Sequence, residues 1–238
     1  MLAFKLFIYL LSISAILSLP NNISIVTFVG ADFLHLFFNW IAHVRSVCAE
    51  CEAQIHIVCM DEVSKRYLKQ FSISCTYLSI KNSVSNIPPR LRVGRLKTMN
   101  VWMARMDYLI LLLKSGSNIL ISDVDAVWLR NPMSTLLNAA NDSDIIASKG
   151  WFPIELYRLW GSTLCLGFAY FKSSSFTIEL LEEVSSLMKN ERLDSNRIDD
   201  QYSINKMLHS WGVSWNKGKA FVYMTKMNIL SYMVYTYV

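Results

Sequence analysis

Short continuous apolar runs alternate along this chain with longer stretches in which apolar residues recur every three or four positions. The first kind suits buried strands and the second amphipathic helices. Ile23–Val29 reads as a first strand, closed by Gly30. Asp32 is placed to cap a helix running to about Val47. Ala53–Met60 reads as a second strand ending at Asp61-Glu62, followed by a helix over about 62–70 and a short third strand from Ile73 to Leu78. Lys81–Pro89 is polar and rich in turn-formers, so it is expected to be a loop. From Lys97 to Ser115, Val101, Met103, Ala104, Tyr108, Leu111 and Leu112 follow helical spacing, and Gly116 supplies the stop. A strand from Asn118 comes next, then a helix from Asn131-Pro132 to about Ala140. Strands over Asp144–Ser148 and Leu164–Phe171 precede helices over Phe176–Lys189 and Asp199–Ser210. This alternation predicts an α/β fold: a mostly parallel sheet flanked by helices, one domain over 21–238, with no internal repeat. Ligands of such sheets sit beyond the carboxyl ends of the strands, so Asp61 and Asp123 are expected on one rim.

The chemistry concentrates at Asp123-Val124-Asp125, where the apolar run Ile119-Leu120-Ile121 leads into paired acids. Strand side chains alternate faces, so both carboxylates are expected to point the same way, roughly 6–7 Å apart along the strand. Acids at the mouth of a buried strand are costly unless a cation or a hydrogen-bond network meets them. For an oxygen-only site that also holds phosphates, that cation is Mg²⁺ or Mn²⁺. The pattern fits a sugar-nucleotide transferase whose acids hold a metal against the donor diphosphate. It also fits a phosphohydrolase of the haloacid dehalogenase type, whose D-x-D-x-[TV] motif matches Asp123-Val124-Asp125-Ala126-Val127. There Asp123 would be the nucleophile and Asp125 the acid/base, with Lys149 and Asp199-Asp200 nominally completing the set. That motif normally opens its domain, whereas here much α/β pattern precedes it.

Composition narrows the picture in a few places. The 238 residues are 53% hydrophobic and 17% charged, which suits a substantial core. Part of the apolar excess lies in Met1–Leu19, where Lys5 is the single charge before Pro20. Residues 1–20 are therefore expected to act as a signal peptide or signal anchor. The sequons Asn22-Ile23-Ser24 and Asn141-Asp142-Ser143 agree with a luminal location. Cys48 and Cys51 form a CxxC with no second pair at metal spacing, which argues against zinc. Cys59 and Cys165 read as core, and one disulfide is open among Cys48, Cys51 and Cys75. The net charge of +5 is modest, and its densest patch, Arg90–Lys97, is too narrow for a nucleic-acid surface. It is placed to meet a diphosphate. Trp128 and Trp211 read as core, while Trp151 and Trp160 are the acceptor-site candidates.

Several blocks fall in order: Arg105 in a helix before the acids, Ser122-Asp123-Val124-Asp125-Ala126-Val127-Trp128-Leu129-Arg130-Asn131-Pro132, Gly167-Phe168-Ala169-Tyr170-Phe171, and Asp200-Gln201 with Asn205 behind. Together they resemble the nucleotide-diphospho-sugar transferase family that includes plant rhamnogalacturonan xylosyltransferases and extensin arabinosyltransferases. The resemblance covers roughly residues 23–216 and implies a GT-A fold, type II Golgi topology and a retaining, metal-dependent transfer. The donor would be a nucleotide sugar, with UDP the expected carrier, and the acceptor a glycan or glycoprotein. By the same resemblance, Asp123 and Asp125 would hold Mn²⁺ or Mg²⁺, Asp61 would face the base or ribose, and Arg105 would approach the phosphates or base. Asp200 and Gln201 would lie near the transferred sugar, with Asp199 capping their helix. Such enzymes usually draw a third metal ligand, often His, from well past the D-Q block. His209 stands too close to Gln201 for this, and His35, His43 and His56 read as packing residues. The aromatic tail Phe221–Val238 carries only Lys226 as charge, which predicts a truncated, association-prone C-terminus. A catalytically inactive secretory remnant is then a further alternative.

Overall fold

β1 (Ile23–Val29) is buried along its whole length, which is why its sequence is a continuous apolar run rather than an alternating one. Its side chains divide between two faces: Ile23, Ile25 and Val29 enter one core, and Val26 and Phe28 the other. The computed structural model describes residues 22–78, 93–191, 199–216 and 219–222, with side chains left aside at 93–97, 191, 214–216 and 219–222. The expected leader, the Lys81–Pro89 loop, Arg90–Arg92 of the basic patch and the tail beyond Val222 lie outside the described residues, while Val93–Lys97 of that patch open a helix.

Helix α1 (Leu34–Val47) follows a single 3-10 turn and leads to β2 (Ile55–Cys59). Then come α2 (Glu62–Gln70), β3 (Thr76–Tyr77), α3 (Val93–Lys114) and β4 (Asn118–Ser122). The second half contains α4 (Met133–Ala140), β5 (Ile145–Gly150), α5 (Ile154–Trp160), β6 (Thr163–Phe171), α6 (Ser175–Glu191) and α7 (Asp200–Ser210). A hairpin of β7 (Val213–Asn216) and β8 (Lys219–Val222) follows. The main sheet has six strands in the order β3-β2-β1-β4-β6-β5. β1 pairs in parallel with β2 and β4, and β2 with β3, while β6 runs antiparallel to both β4 and β5. The sheet is mixed and mostly parallel, flanked by helices, as the pattern predicts.

Helices α1 and α4 cover one face through Phe37, Trp40, Val44 and Leu136, and α3, α6 and α7 cover the other through Met106, Leu113, Leu180, Val184 and Ile204. β1 lies between β2 and β4, so the chain leaves it in one direction and returns on the other side. A crevice at the strand carboxyl ends is the consequence of that reversal.

Cys59 corrects the sequence reading. It is buried, but it forms a disulfide with Cys75, while Cys48 pairs with Cys51. The parallel register that sets Val58 beside Thr76 and Cys59 beside Tyr77 carries Cys75 to the edge of β2. Of the two sequons, Asn141 is exposed, whereas the Asn22 amide donates to the Gly116 carbonyl at 2.7 Å.

Candidate active site

The acids do not continue the strand. β4 stops at Ser122, and a turn begins at Asp123, closed by the Ala126 N–H donating to the Asp123 carbonyl at 2.9 Å. Alternating strand geometry is therefore not what relates Asp123 to Asp125. The turn is anchored from below by Ser122, which is fully buried. Its hydroxyl accepts from the Trp128 indole at 3.0 Å and from the Trp40 indole of α1 at 2.9 Å. Trp128 thus pulls the chain back into the core immediately after the acids, and it is a packing residue as expected. Asp123 keeps one tie to the sheet, its N–H donating to the Gly167 carbonyl at 2.8 Å. A Cβ at position 167 would sit 3.6 Å from Asp123 Oδ2, an ordinary van der Waals contact that places this carboxylate against β6.

Arg105 enters this site from α3. Its guanidinium lies over the Phe28 ring, 4.8 Å from the centroid, and donates to Asp123 Oδ1 at 3.1 Å. Its Nε points to Asp200 Oδ2 at 3.7 Å, beyond hydrogen-bond reach, and has no other acceptor among the described residues. Burial opposes the charge on Arg105, but the Asp123 and Asp200 carboxylates outweigh it and hold the guanidinium pKa above its ordinary value. Asp123 is pushed up to about 6, first by burial and then by Asp200 and Asp125, with Arg105 pulling the other way. Three acids around one cation leave the site with surplus negative charge, which is the condition under which a further cation binds.

Asp200 begins α7, with Asp199 before it as the cap: the Asp199 carboxylate accepts the Tyr202 N–H at 2.5 Å. The division of labour expected of this acid pair is what the helix shows. Asp200 is 8% exposed. Gln201 is turned to structure, its amide donating to the Phe152 carbonyl at 3.0 Å. Asn205, one turn on, clamps β6 by donating to the Leu164 carbonyl and accepting its N–H, both at 2.8 Å.

Beside this cluster opens a cleft of about 800 Å³, lined by Gly30, Ala31, Phe33, Asp61, Tyr77, Trp102 and Arg105, among others. Asp61 lies on its wall, on the same rim as Asp123, and both its oxygens already accept backbone N–H groups. Oδ1 takes Ser64 and Oδ2 takes Ala31, each at 2.7 Å. The structure brings Arg105, Asp123 and Asp200 into direct contact and sets Asp61 apart from them. Sequence reasoning missed Ala31, Phe33, Tyr77 and Trp102, which carry no motif. Only their position at strand ends and on one turn of α3 could have flagged them.

As oxygen donors, Asp123 and Asp125 suit a hard divalent cation. Among the described residues no group of three or more His, Cys, Asp or Glu is arranged to hold a metal. His209 lies against Trp160, with ring centroids 5.4 Å apart, and His56 is within 3.4 Å of the Ser24 hydroxyl. Trp160 is buried at 6% exposure, which removes it as an acceptor candidate, whereas Trp151 is 69% exposed.

Residues 53–238 match the family model described as nucleotide-diphospho-sugar transferase. No curated protein matches the chain. Among solved structures, the chain is similar to the galactosyltransferase LgtC in complex with donor and acceptor sugar analogs, at 14% identity and a TM-score of 0.50, over 78% of this chain and 70% of that one. It is similar to the glycosyltransferase GlyE of Streptococcus pneumoniae TIGR4 at 12% identity and a TM-score of 0.50, over 84% of this chain and 46% of that one. The core-mannan synthase CmsA/Ktr4 of Aspergillus fumigatus, in its Mn/GDP form, matches at 10% identity and a TM-score of 0.52, over 80% of this chain and 70% of that one. At these identities the likeness establishes the fold, which is that of GT-A glycosyltransferases.

Proposed function

The chain belongs to the nucleotide-diphospho-sugar transferase family, and on that premise we propose that this glycosyltransferase moves a sugar, with retention and with the help of Mn²⁺ or Mg²⁺, from a nucleotide-sugar donor to a glycan or glycoprotein. The phosphohydrolase alternative does not survive the family assignment. The observation that carries the proposal is Arg105, held between Asp123 and Asp200 and lining a cleft sized for a nucleoside diphosphate. Ligand sites of this kind run to roughly 300–1,000 Å³.

In this reading the nucleoside lies in the cleft along Ala31, Tyr77 and Trp102, and its diphosphate points to Arg105. Asp123 and Asp125 would hold the divalent cation, which supplies Lewis-acid neutralisation of the departing diphosphate. Arg105 adds a fixed positive charge where negative charge develops, already oriented by Phe28 and the two carboxylates. The sugar C1–O bond to phosphate breaks with its electron pair leaving on the diphosphate. A hydroxyl oxygen of the acceptor bonds to C1, and its proton is released to a departing phosphate oxygen or to solvent. Asp200, buried beside Arg105, stabilises positive charge on the sugar. Gln201, adjacent to it, shapes the sugar subsite through its bond to the Phe152 carbonyl. Asp61 supports the base pocket through Ala31 and meets the nucleoside, if at all, with its remaining lone pairs.

We place the enzyme in the secretory lumen, as a type II Golgi protein. Two disulfides among the described residues support an oxidising compartment. No described helix is long and apolar enough to cross a membrane, and the anchor in this proposal is the residue 1–20 segment. The test uses a panel of UDP- and GDP-sugars with Mn²⁺, reading nucleoside diphosphate release and binding by calorimetry. Metal-dependent binding that is lost in Asp125→Ala, with an unchanged far-UV spectrum, supports the reading. Absence of binding to every nucleoside diphosphate in the panel overturns it.

A further inference from the structure

Trp151 is the most exposed of the described tryptophans at 69%, in a protein that buries Trp40, Trp128 and Trp160. A single exposed apolar residue is ordinary and needs no account. Trp151 differs because the backbone under it is held rigidly and tied to the candidate active site. A Cβ on Gly150 would lie 2.8 Å from Thr163 Oγ1, so the ends of the paired strands β5 and β6 are in close approach just before Trp151. The Phe152 carbonyl accepts from Thr163 Oγ1 at 2.8 Å and from Gln201 Nε2 at 3.0 Å, and Gln201 follows Asp200 on α7. Three rings then run from the open rim to the first turn of α7. Trp151 and Phe152 are 6.4 Å apart with their planes at 72°, and Phe152 and Tyr202 6.3 Å apart at 42°, so the rings buttress one another edge-on and Trp151 alone offers a broad open face.

The direction of this track is set by β6. Asp123 bonds to Gly167, and Gly150 pairs with Thr163 further out on the same strand, about 13 Å away at strand rise. The rings therefore start beside the sugar-bearing end of the site and lead outward from it, on the side away from the nucleotide cleft. We propose that the indole face of Trp151, buttressed from its edge by Phe152 and Tyr202, forms a platform on which a saccharide ring of the acceptor stacks, so that the enzyme prefers an acceptor of several linked sugars over a single one. The proposal rests on the transferase reading for its biological meaning. The physical basis is general: the C–H face of a pyranose is apolar, matches a flat indole, and leaves the ring hydroxyls in water. A preorganised platform loses little entropy on binding.

The decisive measurement needs neither donor nor turnover. The full chain is labelled with 5-fluorotryptophan, and the Trp151 resonance is assigned as the one missing from Trp151→Phe. Xylotetraose, cellotetraose, mannotetraose and maltotetraose are then titrated in, alongside the parent monosaccharides. A saturable shift of that resonance with at least one tetrasaccharide, and a weaker one with its monosaccharide, is expected. No shift of the Trp151 signal with any of them overturns the platform, whatever the outcome of the nucleotide-binding experiments. Where turnover is measurable, Trp151→Ala should raise the KM for a tetrasaccharide acceptor about tenfold with a smaller effect on kcat. Trp151→Phe should restore most of the loss. Equal KM values for the wild type and the alanine variant would also sink the proposal.

Discussion

Ser122 shows how one small side chain can set the geometry of a catalytic turn. Its hydroxyl is the shared acceptor of two buried indole N–H groups, from Trp40 and Trp128. Ser122→Ala removes that acceptor and leaves both donors unsatisfied, which costs about 2–4 kcal/mol. Urea denaturation should show this loss, and nucleoside diphosphate binding should weaken with it because the Asp123–Asp125 turn loses its floor. An unchanged midpoint would mean that the indoles find other acceptors. In the sequence, Ser122 and Trp128 are visible as parts of one block, but their bond is not, since it depends on where α1 places Trp40. Tyr170 supplies a pH test away from the site. It is 2% exposed, and burial, then the nearby Asp144, push its phenol up to about 12. A group whose folded pKa is raised contributes stability that is complete below its unfolded value, about 10, and lost as pH climbs through the folded one. Between pH 10 and 12 the wild type should lose on the order of 2 kcal/mol that Tyr170→Phe retains. Parallel alkaline unfolding curves for the two proteins would refute the assignment.

Helix α2 and the end of β1 are joined by Asp61, which caps the helix through Ser64 and fixes the Ala31 N–H on the cleft wall. Asp61→Ala removes both bonds and should cost roughly 1–2 kcal/mol. Asp61→Asn can keep an oxygen for the cap and should fall between the two. The informative comparison is nucleotide affinity against thermal stability across the three proteins. If Asp61 acts by shaping the wall, affinity falls in step with stability. A large affinity loss in Asp61→Asn with little change in melting would instead show direct contact with the nucleoside. The sequence placed this acid on the correct rim because β1, β2 and β4 are parallel and buried, and such strands are easy to read. It did not show that both oxygens have backbone partners, because that requires the Gly30 turn to approach α2. The short helix α5 is not legible in the sequence for a different reason. Its seven residues offer too few turns for periodicity to register, and its stop, Gly161 at a φ of 76°, is visible only once the chain has turned. β6 was found, but its insertion antiparallel between β4 and β5 was not. Strand order is decided by which faces the helices cover, and strand–helix alternation alone does not specify it.

The disulfides connect the fold to the proposed compartment and to ligand binding. β3 is a two-residue edge strand, exposed at both positions, and Tyr77 within it lines the cleft. So short a ladder is marginal on its own. The Cys59–Cys75 bond closes a loop at a sequence separation of 16 and fastens the approach to β3 onto the fully buried end of β2. A loop of that length is stabilised by roughly 3 kcal/mol when cross-linked. Cys48–Cys51 spans a separation of 3 and constrains much less chain. Cys75→Ser should therefore lower stability by about 3 kcal/mol and also weaken nucleoside diphosphate binding, because Tyr77 loses its tether. Alkylation of the native chain should modify Cys165 alone, since it is the single free thiol, and all five cysteines only after denaturation and reduction. Five reactive thiols in a folded, nucleotide-binding preparation would show that the bonds are dispensable, and with them would go the structural support for a luminal enzyme. If the binding loss in Cys75→Ser is reproduced by reducing the wild type, and Cys48→Ser leaves affinity unchanged, the tether at β3 is the part of the disulfide framework that serves the site.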